Sequence, residues 1–283
     1  MDNSVTRQLR LADGRVLSYS DTGTGQGGTW VHCHGIPGSR YELAHLSEPL
    51  AAAGLRVVVA DRPGYGGSTP CPGYDFAQHT NDVRQLADNL GLERFSVSGF
   101  SGGGVFALAL SHDLGDRVKQ LAIAATPAVP LMANPFEHAS ELTAGSWQAA
   151  LADPENLAYE LESLTQSEDL LYEAMLGAMG PADIRQLTSD SHLWTFRKSL
   201  QTAIAQGSKD AAMALARDSR LMVLPWRFNL QKPPQPDHVF HGDEDLLVHE
   251  PHFRALVHHL QPIRSELVAG AGHYGVLARL FQL

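Results

Sequence analysis

A serine lies between glycines in the stretch SVSGFSGGGVFALAL, residues 96–110. The residues before Ser101 are typical of a buried strand, and those from Gly102 onward of a helix. Glycine costs roughly 1 kcal/mol relative to alanine inside a helix, so three in a row call for another explanation. A G-x-S-x-G pattern between strand and helix is typical of a nucleophilic serine on a sharp turn with small neighbours. The pattern predicts that Ser101 is a nucleophile, although plain glycine-rich turns can also contain it.

Two later stretches supply the other groups that a nucleophilic serine needs. VAGAGHYGVL places His273 in a glycine-rich loop, where an imidazole can take the serine proton and pass it to the leaving group. VFHGDEDLLV places Asp243, Glu244 and Asp245 just after a strand pattern, where a carboxylate can orient the imidazole. These residues predict a Ser-His-carboxylate triad.

The elements that must position these residues alternate between strands and helices. The patterns predict strands at 7–12, 15–20, 29–33, 56–61, 95–99, 118–125, 237–242 and 265–270, and helices at 75–90, 102–112, 250–260 and 273–283. Asp13-Gly14 between the first two strands is typical of a hairpin turn. This alternation predicts an α/β fold with mostly parallel strands.

The alternation is interrupted between β-type segments at 118–125 and 237–242. Roughly 95 residues there carry only helical patterns, with breaks near Asp153-Pro154, Gly180-Pro181 and Gly207-Ser208. We therefore expect an α/β core formed by residues 1–126 and 221–283, with residues 127–220 inserted as a helical cap.

Together these stretches resemble the α/β-hydrolase family with a helical cap. The resemblance covers nearly the whole chain and rests on HGIPGSR (34–40), DRPGYGGST (61–69), GFSGG (99–103), HGDEDLLV (241–248) and GAGH (270–273). It implies a twisted, mostly parallel sheet flanked by helices, with an inserted all-helical cap, and triad members in the chain order serine, acid, histidine. It also selects Asp245, three residues beyond Gly242, as the acid.

The resemblance implies further site residues around the triad. The backbone N–H groups of Ile36 and Gly102 would form the oxyanion hole. Asp61–Tyr65 would hold the floor of the site together, and His34 would brace its own loop without transferring protons. Seven aromatic and methionine side chains are predicted to line an apolar acyl pocket under the cap: Phe100, Trp147, Met175, Met179, Trp194, Phe196 and Trp226.

The implied activity is hydrolysis of a small ester, lactone or thioester through an acyl-enzyme. Proline-releasing aminopeptidases and amidases share this layout but typically carry a second glycine and a tryptophan where this chain has Ile36 and Gly102. Hydrolysis of carbon–carbon bonds and perhydrolysis use the same triad and stay open, as do a non-catalytic binding protein and a biosynthetic cyclase or lyase. Epoxide hydrolases and dehalogenases of this fold use an aspartate nucleophile, which Ser101 disfavours.

Composition limits the other partners. The chain has 283 residues, of which 43% are hydrophobic and 18% charged, and its net charge of −10 comes without a basic cluster. This argues against binding to nucleic acid or an anionic membrane. Since neither a signal peptide nor a membrane span is apparent, we expect a cytoplasmic protein. His32 and His34 have no further ligands nearby and the two cysteines form no metal motif, so we expect no metal and no cofactor; the expected partner is a small acyl substrate.

Overall fold

One mixed β-sheet forms the centre of the protein. The computed structural model describes residues 5–226, 228 and 236–281, and over these residues the sheet has eight strands. They are β1 (Val5–Arg10), β2 (Val16–Thr22), β3 (Gly28–Cys33), β4 (Leu55–Ala60), β5 (Phe95–Phe100), β6 (Val118–Ala124), β7 (His238–Gly242) and β8 (Arg264–Val268). Their order is β1-β2-β4-β3-β5-β6-β7-β8; the pairs β1–β2 and β2–β4 are antiparallel and the others parallel. The predicted α/β fold and the predicted first hairpin are confirmed.

Helices flank this sheet and connect its strands. The α-helices are α1 (Ser47–Ala52), α2 (Phe76–Asn89), α3 (Gly102–Leu114), α4 (Glu141–Ala152), α5 (Pro154–Leu164), α6 (Glu168–Ala178), α7 (Pro181–Leu187), α8 (Asp190–Ala203), α9 (Ser208–Val223) and α10 (Glu250–Leu260). Strand β5, which leads to Ser101, is buried along its whole length, as expected for a parallel strand covered on both faces. None of the helices in the described ranges combines the length and hydrophobicity that crossing a bilayer requires.

The closing helix differs from its prediction. The sequence predicts an α-helix over 273–283, whereas Tyr274–Phe281 form a 3₁₀-helix and residues 282–283 lie outside the described part. Over eight residues the periods 3.0 and 3.6 place nearly the same positions on the buried face, so the apolar pattern does not separate the two helix types. The short helix α1 was not predicted either, because six residues are too few for a periodic signal.

Within the described residues, six α-helices, α4 to α9, and two short 3₁₀-helices lie between β6 and β7, where the sequence predicts a helical cap. The predicted breaks fall between α4 and α5, just before α7, and just before α9. Asp153 caps α5, because its side chain accepts the backbone N–H of Glu155 and of Asn156. The last helix, α9, runs to Val223, three residues past the predicted limit at 220. We call the segment from 127 to 223 the insertion; its standing as a separate domain stays a prediction.

Candidate active site

Ser101 occupies a strained turn between β5 and α3. Its backbone has φ 52° and ψ −130°, a conformation that residues with a side chain rarely adopt. Such a conformation costs of order 1–3 kcal/mol and persists only where the surrounding structure enforces it. The turn lies at the carboxyl end of a central parallel strand, where ligands of α/β proteins commonly bind.

The neighbouring glycines are required by close packing around this turn. A Cβ atom on Gly99 would lie 2.5 Å from the carbonyl oxygen of Gly103. A Cβ on Gly103 would lie 2.1 Å from the carbonyl oxygen of Cys33, and one on Gly104 would lie 1.9 Å from Oγ1 of Thr126. The glycines that weaken the helix therefore let strand β3 and the end of β6 approach the turn closely.

His273 and Asp245 meet in a buried pair. The Nδ1 atom of His273 lies 2.7 Å from Oδ2 of Asp245. The other oxygen, Oδ1, accepts the backbone N–H groups of Leu247 and Val248, each at 3.0 Å. The carboxylate is thus fixed by its own loop, and with Nδ1 donating to it the Nε2 atom of His273 is left to accept a proton.

The pKa shifts of His273 and Asp245 support a base and an orienting carboxylate, respectively. Burial alone would lower the pKa of His273, but the charge of Asp245 and its hydrogen bond outweigh burial and raise it. Burial alone would raise the pKa of Asp245, but the His273 charge and hydrogen bond lower it. A carboxylate that stays ionised beside a histidine that gains basicity is the arrangement that general-base catalysis needs.

Asp243, the competing acid, is engaged elsewhere. Its Oδ1 accepts the backbone N–H of Gly270 at 2.6 Å, which ties the loop after β7 to the end of β8. Of the two aspartates that follow the same strand, Asp245 is therefore the one placed on the imidazole.

Ser101 and His273 line one cavity. The hydrogen bonds described for His273 run to Asp245 and, from its backbone N–H, to Asp183. Among the described residues, Oγ of Ser101 and Nε2 of His273 share the cavity without a hydrogen bond between them. We expect this bond to form when substrate fills the cavity, because catalytic hydrogen bonds are often long before substrate binds.

The two residues predicted to form the oxyanion hole lie side by side. A Cβ on Gly102 would lie 2.6 Å from Cδ1 of Ile36, and both residues line the cavity beside Ser101. Gly102 is the first residue of α3, whose leading N–H groups have no partner within the helix and carry partial positive charge.

Buried charged groups hold the loop that carries Ile36. Arg62 donates to the carbonyl oxygens of His34 at 2.5 Å and Gly35 at 2.8 Å, and pairs with Asp218 of α9 at 2.7 Å. Glu42 accepts the backbone N–H of Gly35 at 2.8 Å. The sequence prediction included Arg62 in the floor of the site but missed Glu42 and Asp218.

His34 is itself engaged within this loop. Its Nδ1 donates to the carbonyl oxygen of Gly35 at 2.9 Å, and its Nε2 accepts the backbone N–H of Arg62 at 3.3 Å. Burial lowers the pKa of His34 well below its usual range, which keeps the ring neutral. These contacts are those of a histidine that braces its own loop.

A sequence profile of the family described as alpha/beta hydrolase fold matches residues 31–279. The chain belongs to this family. Among curated relatives, this alpha/beta hydrolase is 32% identical over 124 residues to a soluble epoxide hydrolase of Corynebacterium sp. (strain C12), covering 44% of this chain and 42% of that protein. It is 34% identical over 142 residues to 2-hydroxy-6-oxononadienedioate/2-hydroxy-6-oxononatrienedioate hydrolase 2 of Pseudomonas putida, covering 45% and 49%. The chain thus spans less than half the length of these relatives.

Solved structures resemble the alpha/beta hydrolase over its whole length. A bromoperoxidase of Bacillus anthracis is 25% identical, with a TM-score of 0.68, covering 99% of this chain and 96% of that chain. This likeness extends across the insertion as well as the sheet.

Helices of the insertion form part of the wall of this cavity in the alpha/beta hydrolase. Three predicted pocket residues line it: Phe100 beside the serine, Trp147 on α4 and Met175 on α6. Other lining residues were not predicted from the sequence, because their aliphatic and hydroxyl side chains are not distinctive: Leu142, Thr143, Ser146, Leu161, Leu164, Leu171, Ala174, Leu215 and Ser219. Met222 was not predicted either, and it lies beyond the predicted end of the cap at 220. The orientation of each insertion helix determines which of its apolar side chains line the cavity.

The structure corrects the prediction for the other four pocket residues. Trp194 is 47% exposed on α8. Met179 is buried in the core, and Phe196 packs against Tyr274 at 5.1 Å between ring centroids. Trp226 donates its indole N–H to the carbonyl oxygen of Met222. In the described part of the chain, none of these four lines the cavity of Ser101.

No group of three or more His, Cys, Asp or Glu side chains within the described residues is arranged to hold a metal ion. His32, which pairs with His34 in the sequence, bonds instead to Glu42 and Ser98, at 2.8 and 2.9 Å. Its two ring nitrogens are therefore engaged by protein groups.

Proposed function

We propose that the protein is a serine hydrolase that cleaves a small, neutral ester, lactone or thioester. One observation carries the proposal: Ser101, held in a strained turn, shares a cavity with His273, whose imidazole binds buried Asp245 at 2.7 Å. A serine with a merely structural role has no need of that backbone conformation or of a histidine with raised basicity.

In the first half of the reaction, Oγ of Ser101 attacks the carbonyl carbon while Nε2 of His273 takes the hydroxyl proton. The carbonyl oxygen becomes an oxyanion that accepts hydrogen bonds from the N–H groups of Ile36 and Gly102. When the bond to the alcohol or thiol breaks, His273 returns the proton to that leaving group. The acyl group remains on Ser101 as an ester.

In the second half, water takes the place of the alcohol. His273 removes one proton from the water as its oxygen attacks the acyl carbon, and the proton then passes to Oγ of Ser101 as the acid leaves. Asp245 stays ionised throughout and stabilises the imidazolium that forms twice in each cycle.

The cavity lining supports a neutral, largely apolar substrate. Within the described residues, it contains no Asp, Glu, Lys or Arg side chain. The cavity has a volume of about 120 Å³, which favours small acyl compounds over long-chain lipids.

The same lining disfavours the substrate type in the name of the Pseudomonas putida relative. A dioate carries two carboxylates, and a buried carboxylate needs a cationic or multiply donating partner. The candidate nucleophile also disfavours epoxide opening. Epoxide hydrolases of this fold attack with a carboxylate, whereas this chain has the hydroxyl of Ser101, which suits acyl transfer. Ester, lactone or thioester cleavage therefore has the better support.

A panel of neutral acyl esters, lactones, thioesters and amides tests the proposal. We expect turnover of short, neutral esters or lactones and, in rapid-quench mass spectrometry, an acyl group on the peptide that contains Ser101. Turnover restricted to charged dicarboxylates, or an acyl group on another residue, would contradict it.

The rate should rise with pH through the ionisation of His273. Its imidazole must be neutral to take the serine proton, and its pKa is raised above the ordinary 6.5 by Asp245. The rising limb of kcat/KM should therefore have its midpoint above pH 6.5, and phosphonylation of Ser101 by a fluorophosphonate should follow the same limb. A rate that falls over this range would be inconsistent with His273 as the base.

Met175 should control the length of the acyl group. Met175→Ala removes bulk from the cavity wall and should raise kcat/KM for longer esters relative to short ones by about tenfold or more, since one methylene is worth about 1–3 kcal/mol. Met179→Ala is the matched control, because it deletes the same side chain four residues away, outside the cavity. If both variants changed the ratio of kcat/KM for long and short esters equally, Met175 would not line the acyl pocket.

A further inference from the structure

Asp183 is a fully buried carboxylate that joins the insertion to the loop of His273. It lies in the first turn of α7 and is 0% exposed. Its Oδ2 accepts the backbone N–H of His273 at 2.9 Å, and its Oδ1 accepts that of Tyr274 at 2.8 Å. One carboxylate therefore accepts hydrogen bonds from two consecutive backbone N–H groups, the first of which belongs to His273.

The closing 3₁₀-helix explains why these peptide groups need an outside partner. It begins at Tyr274, directly after His273, and the leading N–H groups of a helix have no acceptor within it. A helix is usually capped by the residue that precedes it, but here that residue is the histidine, whose side chain is bound to Asp245. Asp183 supplies the missing acceptor from 90 residues away in the chain.

Gly272 makes room for this carboxylate. A Cβ on Gly272 would lie 2.4 Å from Oδ2 and 2.5 Å from Cγ of Asp183. Gln186, almost one turn further along α7, donates to the carbonyl oxygen of Tyr274 at 3.5 Å. Helix α7 thus holds the loop at two points, and the glycine before His273 is needed for the first of them.

We propose that Asp183 is a positioning residue: a carboxylate of the insertion that fixes the backbone of His273 so that its imidazole spans Asp245 and Ser101. The proposal rests on the proposed function, because it takes His273 as the base. Asp183 acts through the loop and not on substrate, since within the described residues it is absent from the cavity lining.

The charge of Asp183 also acts on the imidazole of His273. The ionisable groups that face His273 are Asp245 from the loop after β7, Asp183 from α7, Glu42 from the loop after β3, and His241 at the end of β7. The three carboxylates all raise the pKa of His273. Burial raises the pKa of Asp183 itself, while the two backbone N–H groups and the charge of His273 favour its ionised form.

The test compares Asp183→Asn with Asp169→Asn. Both replace an aspartate of the insertion by its neutral isostere, but Asp169 is exposed on α6 and its ion pair within the described residues is with a surface arginine, Arg197. In Asp183→Asn an amide NH₂ faces a backbone N–H, so we expect the loop to shift. Labelling of Ser101 by a fluorophosphonate should slow by about 10- to 100-fold, with kcat reduced more than KM is changed.

The pKa of His273, measured by NMR titration, is the second readout. Asp183→Asn should lower this pKa relative to wild type, because it removes one of the charges that raise it, whereas looser packing that exposes the ring would relieve the burial that lowers it. The proposal is overturned if Asp183→Asn matches Asp169→Asn in labelling rate or in the pKa of His273. The titration needs no turnover, so if no ester or probe reacts with Ser101, the proposed function fails and the titration alone decides the role of Asp183.

Gly272→Ala keeps the proposal testable if Asp183→Asn does not fold. The added methyl group would collide with the Asp183 carboxylate while leaving its charge intact, and labelling of Ser101 should again slow. Gly177→Ala is the control, because a Cβ there meets nothing within 4 Å. Labelling of a folded Gly272→Ala protein at the rate of Gly177→Ala would overturn the role assigned to Asp183.

Discussion

Replacing Ser101 by alanine is expected to abolish turnover while the protein stays folded. Loss of the nucleophile from a triad lowers kcat by several orders of magnitude, about 10⁴-fold or more, because the remaining groups have no atom to acylate. Alanine also has a Cβ, so the strain of the turn at φ 52° is unchanged and the melting temperature should stay close to that of wild type. Initial rates on the best ester of the panel measure the effect.

Ser111→Ala is the matched control for this variant. Ser111 lies on the same helix, α3, at the end remote from the turn. A fluorophosphonate should label wild type and Ser111→Ala on the Ser101 peptide and leave Ser101→Ala unlabelled. If Ser101→Ala kept the parent's activity on every substrate, the nucleophile would have to be sought elsewhere.

Asp245→Asn is expected to reduce kcat by about 10⁴-fold, and Asp243→Asn by little. The asparagine can still accept the N–H groups of Leu247 and Val248 through its oxygen, which leaves its NH₂ facing Nδ1 of His273. An NH₂ there stabilises the tautomer with its proton on Nε2, which cannot take the serine proton. Asp243 serves as the control because its carboxylate bonds Gly270 instead.

Both aspartate variants should be compared at equal folded fraction, established by thermal unfolding. The larger loss on Asp243→Asn would transfer the orienting role to that residue. Equal losses would mean that the conformation of the shared loop matters more than the tautomer of the histidine.

Local patterns in the sequence were enough to predict the sheet and to mark Ser101 and His273 as candidate catalytic residues. The strand before Ser101 and the glycines after it lie within ten residues, so one short stretch contains the strand, the turn and the start of the helix. The Asp-Gly hairpin and the Pro and Gly breaks of the insertion are equally local, since each depends on the backbone preferences of one or two residues. The choice of Asp245 over Asp243, by contrast, came from the family resemblance.

Contacts between distant residues were not predictable in the same way. Asp183 lies in the first turn of a helix, where acidic residues are common for reasons of the helix alone, so nothing local marks its bond to a peptide group 90 residues later. Met175 and Met179 are the same residue type close together, yet only Met175 reaches the cavity. Which face of each insertion helix points inward depends on how the helices pack together, and composition does not encode that directly.

The ion pair between Arg62 and Asp218 bears on protein engineering. Exchanging the inserted helices between related hydrolases is a natural route to new substrate ranges. In this protein, removing the insertion would take Asp218 away, while Arg62 would stay beside the loop that carries Ile36. The two side chains are 2% and 0% exposed, so the arginine would be left as an unpaired buried charge, at a cost of about 3–5 kcal/mol. A graft should therefore retain α9 of this chain, or replace Arg62 by a neutral side chain that can still donate to the carbonyl oxygens of His34 and Gly35.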